Sequence, residues 1–126
     1  MKEEWNGIKI LIVEDVESNI MFFKSAFKRT GATVLLAVDG QQAIEAVNKN
    51  PDIDVIIMDI VMPHMDGLKA TTAIKAINPE IAIIIQTAYV LEHTEDECLK
   101  AGCDVFFEKP IRLITLISTI NDLIKK

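Results

Sequence analysis

Five short hydrophobic runs alternate along the chain with longer segments in which hydrophobic residues recur at helical spacing. Three of the runs are nearly continuous and rich in β-branched residues, as expected for parallel strands buried on both faces. We predict strands at residues 8–13, 33–38, 54–58, 81–86 and 104–107.

The segments between the predicted strands each have one hydrophobic side. In the first, Ile20, Phe23 and Phe27 share a side, and Gly31 is a candidate C-terminal cap. Thr94, followed three residues later by Glu97, resembles a capping box and predicts that the fourth helix begins there. The alternation predicts an α/β fold, a flavodoxin-like (βα)5 open parallel sheet with strand order 2-1-3-4-5 and helices on both faces.

Length and composition limit the possible functions. The 126 residues are enough for one domain, which we place at residues 9–126, with residues 1–8 as an N-terminal extension or linker in which Trp5 packs loosely or meets an upstream domain. The net charge of −6 argues against direct binding of nucleic acid. The chain has no run of 18 hydrophobic residues and no signal-peptide pattern at its start, so we expect a cytoplasmic domain without membrane contact. Two cysteines without a metal-binding pattern are expected to be buried, reduced thiols.

Polar residues end four of the predicted strands. Glu14 and Asp15 follow the first strand, Asp59 the third, Thr87 the fourth and Lys109 the fifth. The predicted strand order makes the first and third strands neighbours, so the three carboxylates should converge at one edge of the sheet. Two carboxylates about 4 Å apart repel by roughly 4 kcal/mol at an effective dielectric constant of about 20, so three of them call for a cation. All-oxygen ligands favour a hard ion such as Mg2+.

The same edge carries groups suited to a phosphoryl group. Lys109 supplies a positive charge and Thr87 a hydroxyl donor, which together could hold a phosphoryl group on Asp59. A simpler interpretation is that Glu14 and Asp15 only cap the first helix and that Lys109 is a solvated strand end. The joint occurrence of all these residues at the right strand ends favours the first interpretation.

Several short motifs together resemble a known family. They are Glu14-Asp15, Asp59, Met62-Pro63-His64-Met65-Asp66-Gly67, Thr87-Ala88, Ala101-Gly102-Cys103-Asp104 and Lys109-Pro110. In order and spacing they resemble the receiver domain of two-component response regulators, from about residue 9 to the C-terminus. The segments 14–19 and 62–67 are similar to those of receivers attached to hybrid sensor histidine kinases.

The resemblance implies a phosphoacceptor site. Asp59 matches the phosphoacceptor, and Glu14 and Asp15 match the acidic pair that binds Mg2+ with Asp59 and the backbone carbonyl of Val61. Val61 and Tyr89 match the two positions that flank the approach of water to the phosphoryl group, and neither is a carboxylate or amide that could orient a water molecule. Tyr89 is large enough to cover the site, although it could instead point to solvent or toward a partner. We therefore expect slow loss of the phosphoryl group.

The resemblance also implies a switch. Thr87 and Lys109 match the switch hydroxyl and the phosphate-pairing lysine, and the Ala88 amide would face the phosphoryl group. Phe106 matches the aromatic residue that changes rotamer with Thr87, although its lack of a hydroxyl makes an ordinary core role equally compatible with the sequence.

The expected function is therefore a signalling phosphoacceptor that catalyses only its own phosphorylation and dephosphorylation. A histidine kinase or histidine phosphotransfer domain would be the donor, and the face made by the fourth helix, fifth strand and fifth helix would bind partners or form a homodimer. A phosphatase with an aspartyl nucleophile is an alternative, but that class carries its nucleophile after the first strand. A receiver used only for protein interaction would lack Asp59, an acidic residue or Lys109, and no such residue is lost. No glycine-rich phosphate loop follows the first strand, which disfavours nucleotide binding.

Overall fold

Five parallel strands form one sheet in the computed structural model, which describes residues 4–60, 66–88, 90–91 and 94–124. The strands are β1 (Lys9–Val13), β2 (Thr33–Ala37), β3 (Val55–Asp59), β4 (Ala82–Thr87) and β5 (Val105–Glu108). The helices are α1 (Glu17–Phe27), α2 (Gly40–Lys49), α3 (Gly67–Ile77), α4 (Thr94–Ala101) and α5 (Leu113–Ile124). The sheet order β2-β1-β3-β4-β5 confirms the predicted fold class, and each predicted strand end lies within one residue of the observed one.

Side chains alternate between the two faces of the sheet and build two cores, because successive residues of a strand point to opposite sides. One core, which we call the α2–α4 core, includes Leu11, Ile56, Ile83, Ile74 and Cys98. The other, the α1–α5 core, includes Ile12, Ile57, Ile84, Phe23 and Leu116. The central strands β1, β3 and β4 are therefore almost wholly buried, which explains their nearly continuous hydrophobic sequence.

Short polar contacts fix where the helices begin. Asp39 accepts a hydrogen bond from the Gln42 amide at 2.8 Å, and Asp66 accepts one from the Lys69 amide at 2.8 Å, so each aspartate caps the helix that follows it. The fourth helix begins at Thr94, as predicted. The Thr94 hydroxyl accepts a hydrogen bond from the Leu91 amide at 2.7 Å and thereby ties the helix to the preceding loop.

Two predictions near the first helix are wrong. Helix α1 ends at Phe27 with Lys28 as its C-cap, so Gly31 is not the cap but lies in the turn to β2 with a φ of +85°. Trp5 does not pack loosely, because it is 2% exposed and its indole Nε1 donates a hydrogen bond to Asn121 Oδ1 at 2.7 Å. The Trp5 ring also lies 5.8 Å from that of Phe27, which attaches the N-terminal segment to α1 and α5. The domain boundary at residue 9 stays a prediction.

The two cysteines are free and buried, as predicted. Burial raises the pKa of the Cys98 thiol to about 11 and that of Cys103 to about 12, so both remain protonated at neutral pH. Among the described helices, none is long and hydrophobic enough to cross a membrane.

Candidate functional site

Three charged side chains meet at the carboxyl-terminal edge of the sheet. The ammonium nitrogen of Lys109 lies 2.9 Å from Asp59 Oδ2 and 3.5 Å from Glu14 Oε1. Glu14 is fully buried and Asp59 is 8% exposed. The strand order predicted this convergence, because β1 and β3 are neighbours and β5 lies beyond β4.

A common register places these side chains on one face of the sheet. Each follows by two residues a member of the α1–α5 core, and residues two apart in a strand share a face. The pairs are Ile12 and Glu14, Ile57 and Asp59, and Phe107 and Lys109, where Phe107 is a half-buried residue that packs against this core. Gln86 follows Ile84 in the same way. The site is therefore a polar continuation of the α1–α5 core at the end of the strands.

Gln86 belongs to this group, although it was not predicted from the sequence. Its side chain is 2% exposed, and Nε2 donates a hydrogen bond to Glu14 Oε1 at 3.3 Å. The sequence carried one usable signal, namely an amide side chain directly after the hydrophobic run of residues 81–85. A buried amide in such a strand is costly unless it is hydrogen-bonded, so the sequence indicates that Gln86 has a buried partner but not which residue that partner is.

Both carboxylate oxygens of Glu14 have partners. Oε1 faces Gln86 and Lys109, and Oε2 accepts a hydrogen bond from the Val16 amide at 3.1 Å. Val16 is the N-cap residue of α1 and makes no side-chain cap of its own. Glu14 therefore contributes to the start of the first helix and to the charged site together, whereas the alternative gave the acidic pair a role at the helix only.

Lys109 is held as a cation. Burial lowers the pKa of its ammonium group, but the hydrogen bond to Asp59 and the charges of Asp59 and Glu14 outweigh burial and raise the pKa of Lys109 above its ordinary value. The Lys109 backbone amide also donates to the Thr87 carbonyl at 2.8 Å, which joins the ends of β4 and β5. The lysine is therefore charged and fixed in place at neutral pH.

Thr87 and Phe106 lie on the other side of the sheet. Thr87 is fully buried and comes two residues after Ile85, a member of the α2–α4 core, so the two side chains share a face of the sheet. Phe106 pairs in register with Ile85, is half-buried and packs against the same core. Ala88, directly after β4, is exposed. The two candidate switch residues therefore share a layer with α4, whereas the charged side chains share a layer with α1 and α5.

Asp15, a further predicted metal ligand, is not assembled with Glu14 and Asp59. Asp15 is exposed, and no three His, Cys, Asp or Glu side chains among the described residues lie close enough together to hold a metal ion. Val61, His64 and Tyr89 lie outside the described residues.

Gly67 fixes the chain beside Asp59. Its amide donates to the Ile60 carbonyl at 2.9 Å, and a Cβ added at this position would overlap the carbonyl oxygen of Asp59. Only glycine allows this close approach of backbone to backbone. The match of Gly67 to the family pattern thus has a physical reason in this chain.

Comparisons with known proteins agree with this geometry. Histidine kinase 5 of Arabidopsis thaliana is 34% identical over a match that covers 88% of this chain and 15% of that protein. The hybrid signal transduction protein dokA of Dictyostelium discoideum is 34% identical over 92% of this chain and 7% of that protein. The chain thus spans only a small part of the relatives that it matches.

A solved structure gives the same fold. It is a complex of CheX, CheY, BeF3 and Mg2+ from Borrelia burgdorferi, whose matching chain superposes with a TM-score of 0.87 at 26% identity and covers 94% of this chain and 90% of that chain. The family described as "Response regulator receiver domain" matches residues 10–121, which include all the described site residues. The chain therefore belongs to the response regulator receiver domain family, the receivers of two-component phosphorelays.

Proposed function

We propose that Asp59 accepts a phosphoryl group from a phosphohistidine donor. The observation that carries the proposal is the contact of 2.9 Å between the nearly buried Asp59 carboxylate and the Lys109 ammonium, with Glu14 beside them. In the transfer, the phosphorus–nitrogen bond of the donor breaks and a bond forms between phosphorus and an Asp59 oxygen. The electron pair of the broken bond stays on the imidazole nitrogen.

The residues around Asp59 have distinct roles in this proposal. Lys109, whose raised pKa keeps it charged, pairs with the negative phosphoryl oxygens. Thr87 ends the neighbouring strand β4 and Ala88 follows it, and the Thr87 hydroxyl and the Ala88 amide donate to the same oxygens. Thr87 lies in the α2–α4 layer, so its movement toward a phosphoryl group would change the packing near Phe106 and α4.

The donor set fits Mg2+. Glu14 and Asp59 provide buried carboxylate oxygens, and Asp15, which is exposed, would turn toward them. With the backbone carbonyl of Val61 these ligands are all oxygen, the type that Mg2+ prefers. A bound Mg2+ would supply positive charge that offsets the carboxylates and the incoming phosphoryl group. The similar complex from Borrelia burgdorferi contains Mg2+ together with BeF3, a mimic of a phosphoryl group.

The proposed donor is a histidine kinase or a histidine phosphotransfer domain, supported by the histidine kinase among the relatives. The face formed by α4, β5 and α5 is the proposed surface for the output partner or for a homodimer. Leu99 on α4 is an exposed hydrophobic residue that such a contact would cover. Hydrolysis of the phosphoryl group at Asp59 completes the cycle.

The test is labelling with acetyl phosphate followed by intact mass spectrometry. We expect one added phosphoryl group in the presence of Mg2+ and none after EDTA or in Asp59→Asn. Asp39→Asn is a matched control, because asparagine caps a helix as well as aspartate does and Asp39 lies at the start of α2. Full labelling of Asp59→Asn would show that another residue is the acceptor.

A further inference from the structure

We infer that Gln86 is a positioning residue that holds Glu14 ready for the metal, an inference that rests on the proposed function. Glu14 extends from the end of β1 and Gln86 from β4, and β3 lies between these two strands. The hydrogen bond from Gln86 Nε2 to Glu14 Oε1 therefore spans the strand that carries Asp59. It is a side-chain link across the middle of the site.

The surroundings of Gln86 favour a specific role over general packing. All the residues of β4 that precede Gln86, from Ala82 to Ile85, are hydrophobic and buried. An amide side chain at this depth loses its hydrogen bonds to water. It avoids destabilising the folded protein only if it forms hydrogen bonds inside the protein. Its partner here is the buried carboxylate of Glu14, at 3.3 Å.

The two donors to Glu14 Oε1 differ in charge, and this difference gives Gln86 its role. Lys109 lies 3.5 Å from that oxygen and neutralises it, but the same lysine is needed at a phosphoryl group on Asp59. The Gln86 amide is neutral, so it orients the carboxylate without cancelling the negative charge that attracts a cation. With the Val16 amide on Oε2, it keeps Glu14 in place when Lys109 turns to the phosphoryl group.

Loss of this link should weaken metal binding more than the chemistry. Partners that orient a metal ligand typically change metal affinity by about 10–100-fold when removed. In Gln86→Met, which keeps the length but removes the donor, we expect the Mg2+ concentration for half-maximal labelling to rise about tenfold. The labelling rate at saturating Mg2+ should change by less than about twofold, because Asp59, Thr87 and Lys109 are intact.

The measurement needs a control for stability. Ile84→Val removes one methylene from the same strand and the same face, two residues away, and should lower the melting temperature without changing the Mg2+ dependence. Mg2+ binding is measured independently of labelling from amide shifts in nitrogen-15 spectra. In the wild type, the side-chain NH2 signals of Gln86 should shift with the same Mg2+ dependence as the Val16 amide, a readout that needs no variant to fold.

The outcomes separate the two proposals. If the wild type neither binds Mg2+ nor becomes labelled, the proposed function is wrong. If the wild type does both, but Gln86→Met has an unchanged Mg2+ midpoint or the Gln86 NH2 signals do not respond to Mg2+, the role of Gln86 alone is wrong. An equal rise of the midpoint in Ile84→Val would assign the effect to packing and would also overturn the role of Gln86.

Discussion

Replacing Lys109 by methionine should destabilise the protein strongly in the absence of Mg2+ and weakly in its presence. The Lys109 ammonium lies 2.9 Å from Asp59 Oδ2 and 3.5 Å from Glu14 Oε1. At an effective dielectric constant of about 20, these distances correspond to attractions of about 6 and about 5 kcal/mol. Desolvation of the ammonium offsets much of this gain, and removing one partner of a buried ion pair costs about 3–5 kcal/mol in measured cases.

The lower end of that range applies here. The Lys109 side chain is 19% exposed, so water screens part of the attraction. We expect the free energy of unfolding to fall by about 3 kcal/mol, which in a domain of this size lowers the melting temperature by roughly 10–15 °C. In the variant, Mg2+ should restore a large share of the loss, because a divalent cation can neutralise the same carboxylates.

Urea denaturation with and without Mg2+ measures these differences, and differential scanning calorimetry gives the melting temperatures. Lys100→Met is the matched control, since Lys100 is an exposed lysine of α4 and its loss should change stability by less than about 0.5 kcal/mol. If Lys109→Met is as stable as the wild type without Mg2+, or if Mg2+ stabilises both proteins equally, the electrostatic reasoning fails.

The pKa of Lys109 adds a pH signature to the same comparison. Because this pKa is raised in the folded protein, the stabilisation is complete below the ordinary lysine pKa and is lost as pH rises through the higher folded value. The stability difference between wild type and Lys109→Met should therefore be constant near neutral pH and shrink above about pH 10.5. A difference that grows in that range would show that the sign is wrong.

Three other variants probe the residues around Asp59. Thr87→Ala should still be labelled, but beryllofluoride should shift the amides of residues 94–108 much less than in the wild type, and equal shifts would remove Thr87 from the switch. The double variant Val61→Asn, Tyr89→Glu should lose its phosphoryl group faster once the donor is removed, and decay no faster than wild type would contradict the shielding of Asp59 from water. Gly67→Ala should lower the free energy of unfolding by about 1–3 kcal/mol in urea, because its methyl group would overlap the Asp59 carbonyl, and unchanged stability would show that the turn yields freely.

The sheet and most of the charged site could be predicted from sequence. Buried parallel strands are continuous hydrophobic runs, so a polar residue that ends such a run is conspicuous, and this located Glu14, Asp59 and Lys109. Gln86 was missed because an amide next to Thr87 is compatible with an ordinary strand position, and its role depends on a partner two strands away.

Long-range contacts also explain the errors near the chain start. Trp5 precedes the first periodic segment, and its burial depends on Phe27 and on Asn121 in the last helix, to which no local pattern points. The assignment of Gly31 as a helix cap failed because the turn after α1 is organised by Thr30, whose hydroxyl donates to the Phe27 carbonyl at 2.7 Å. Local composition marked a turn correctly but could not say at which residue the helix ends.

Two consecutive residues of β4, Gln86 and Thr87, continue opposite faces of the sheet. Substitutions on the exposed side of α4 that fit the domain to a new binding partner would therefore leave the charged site unchanged. Its carboxylates, lysine and amide lie on the α1–α5 side of the sheet. As long as Thr87 is kept, the exposed surface of α4 can diversify while the charged groups on the other face of the sheet stay constant. Such an arrangement lets one phosphorylation chemistry serve many different recipients of the signal.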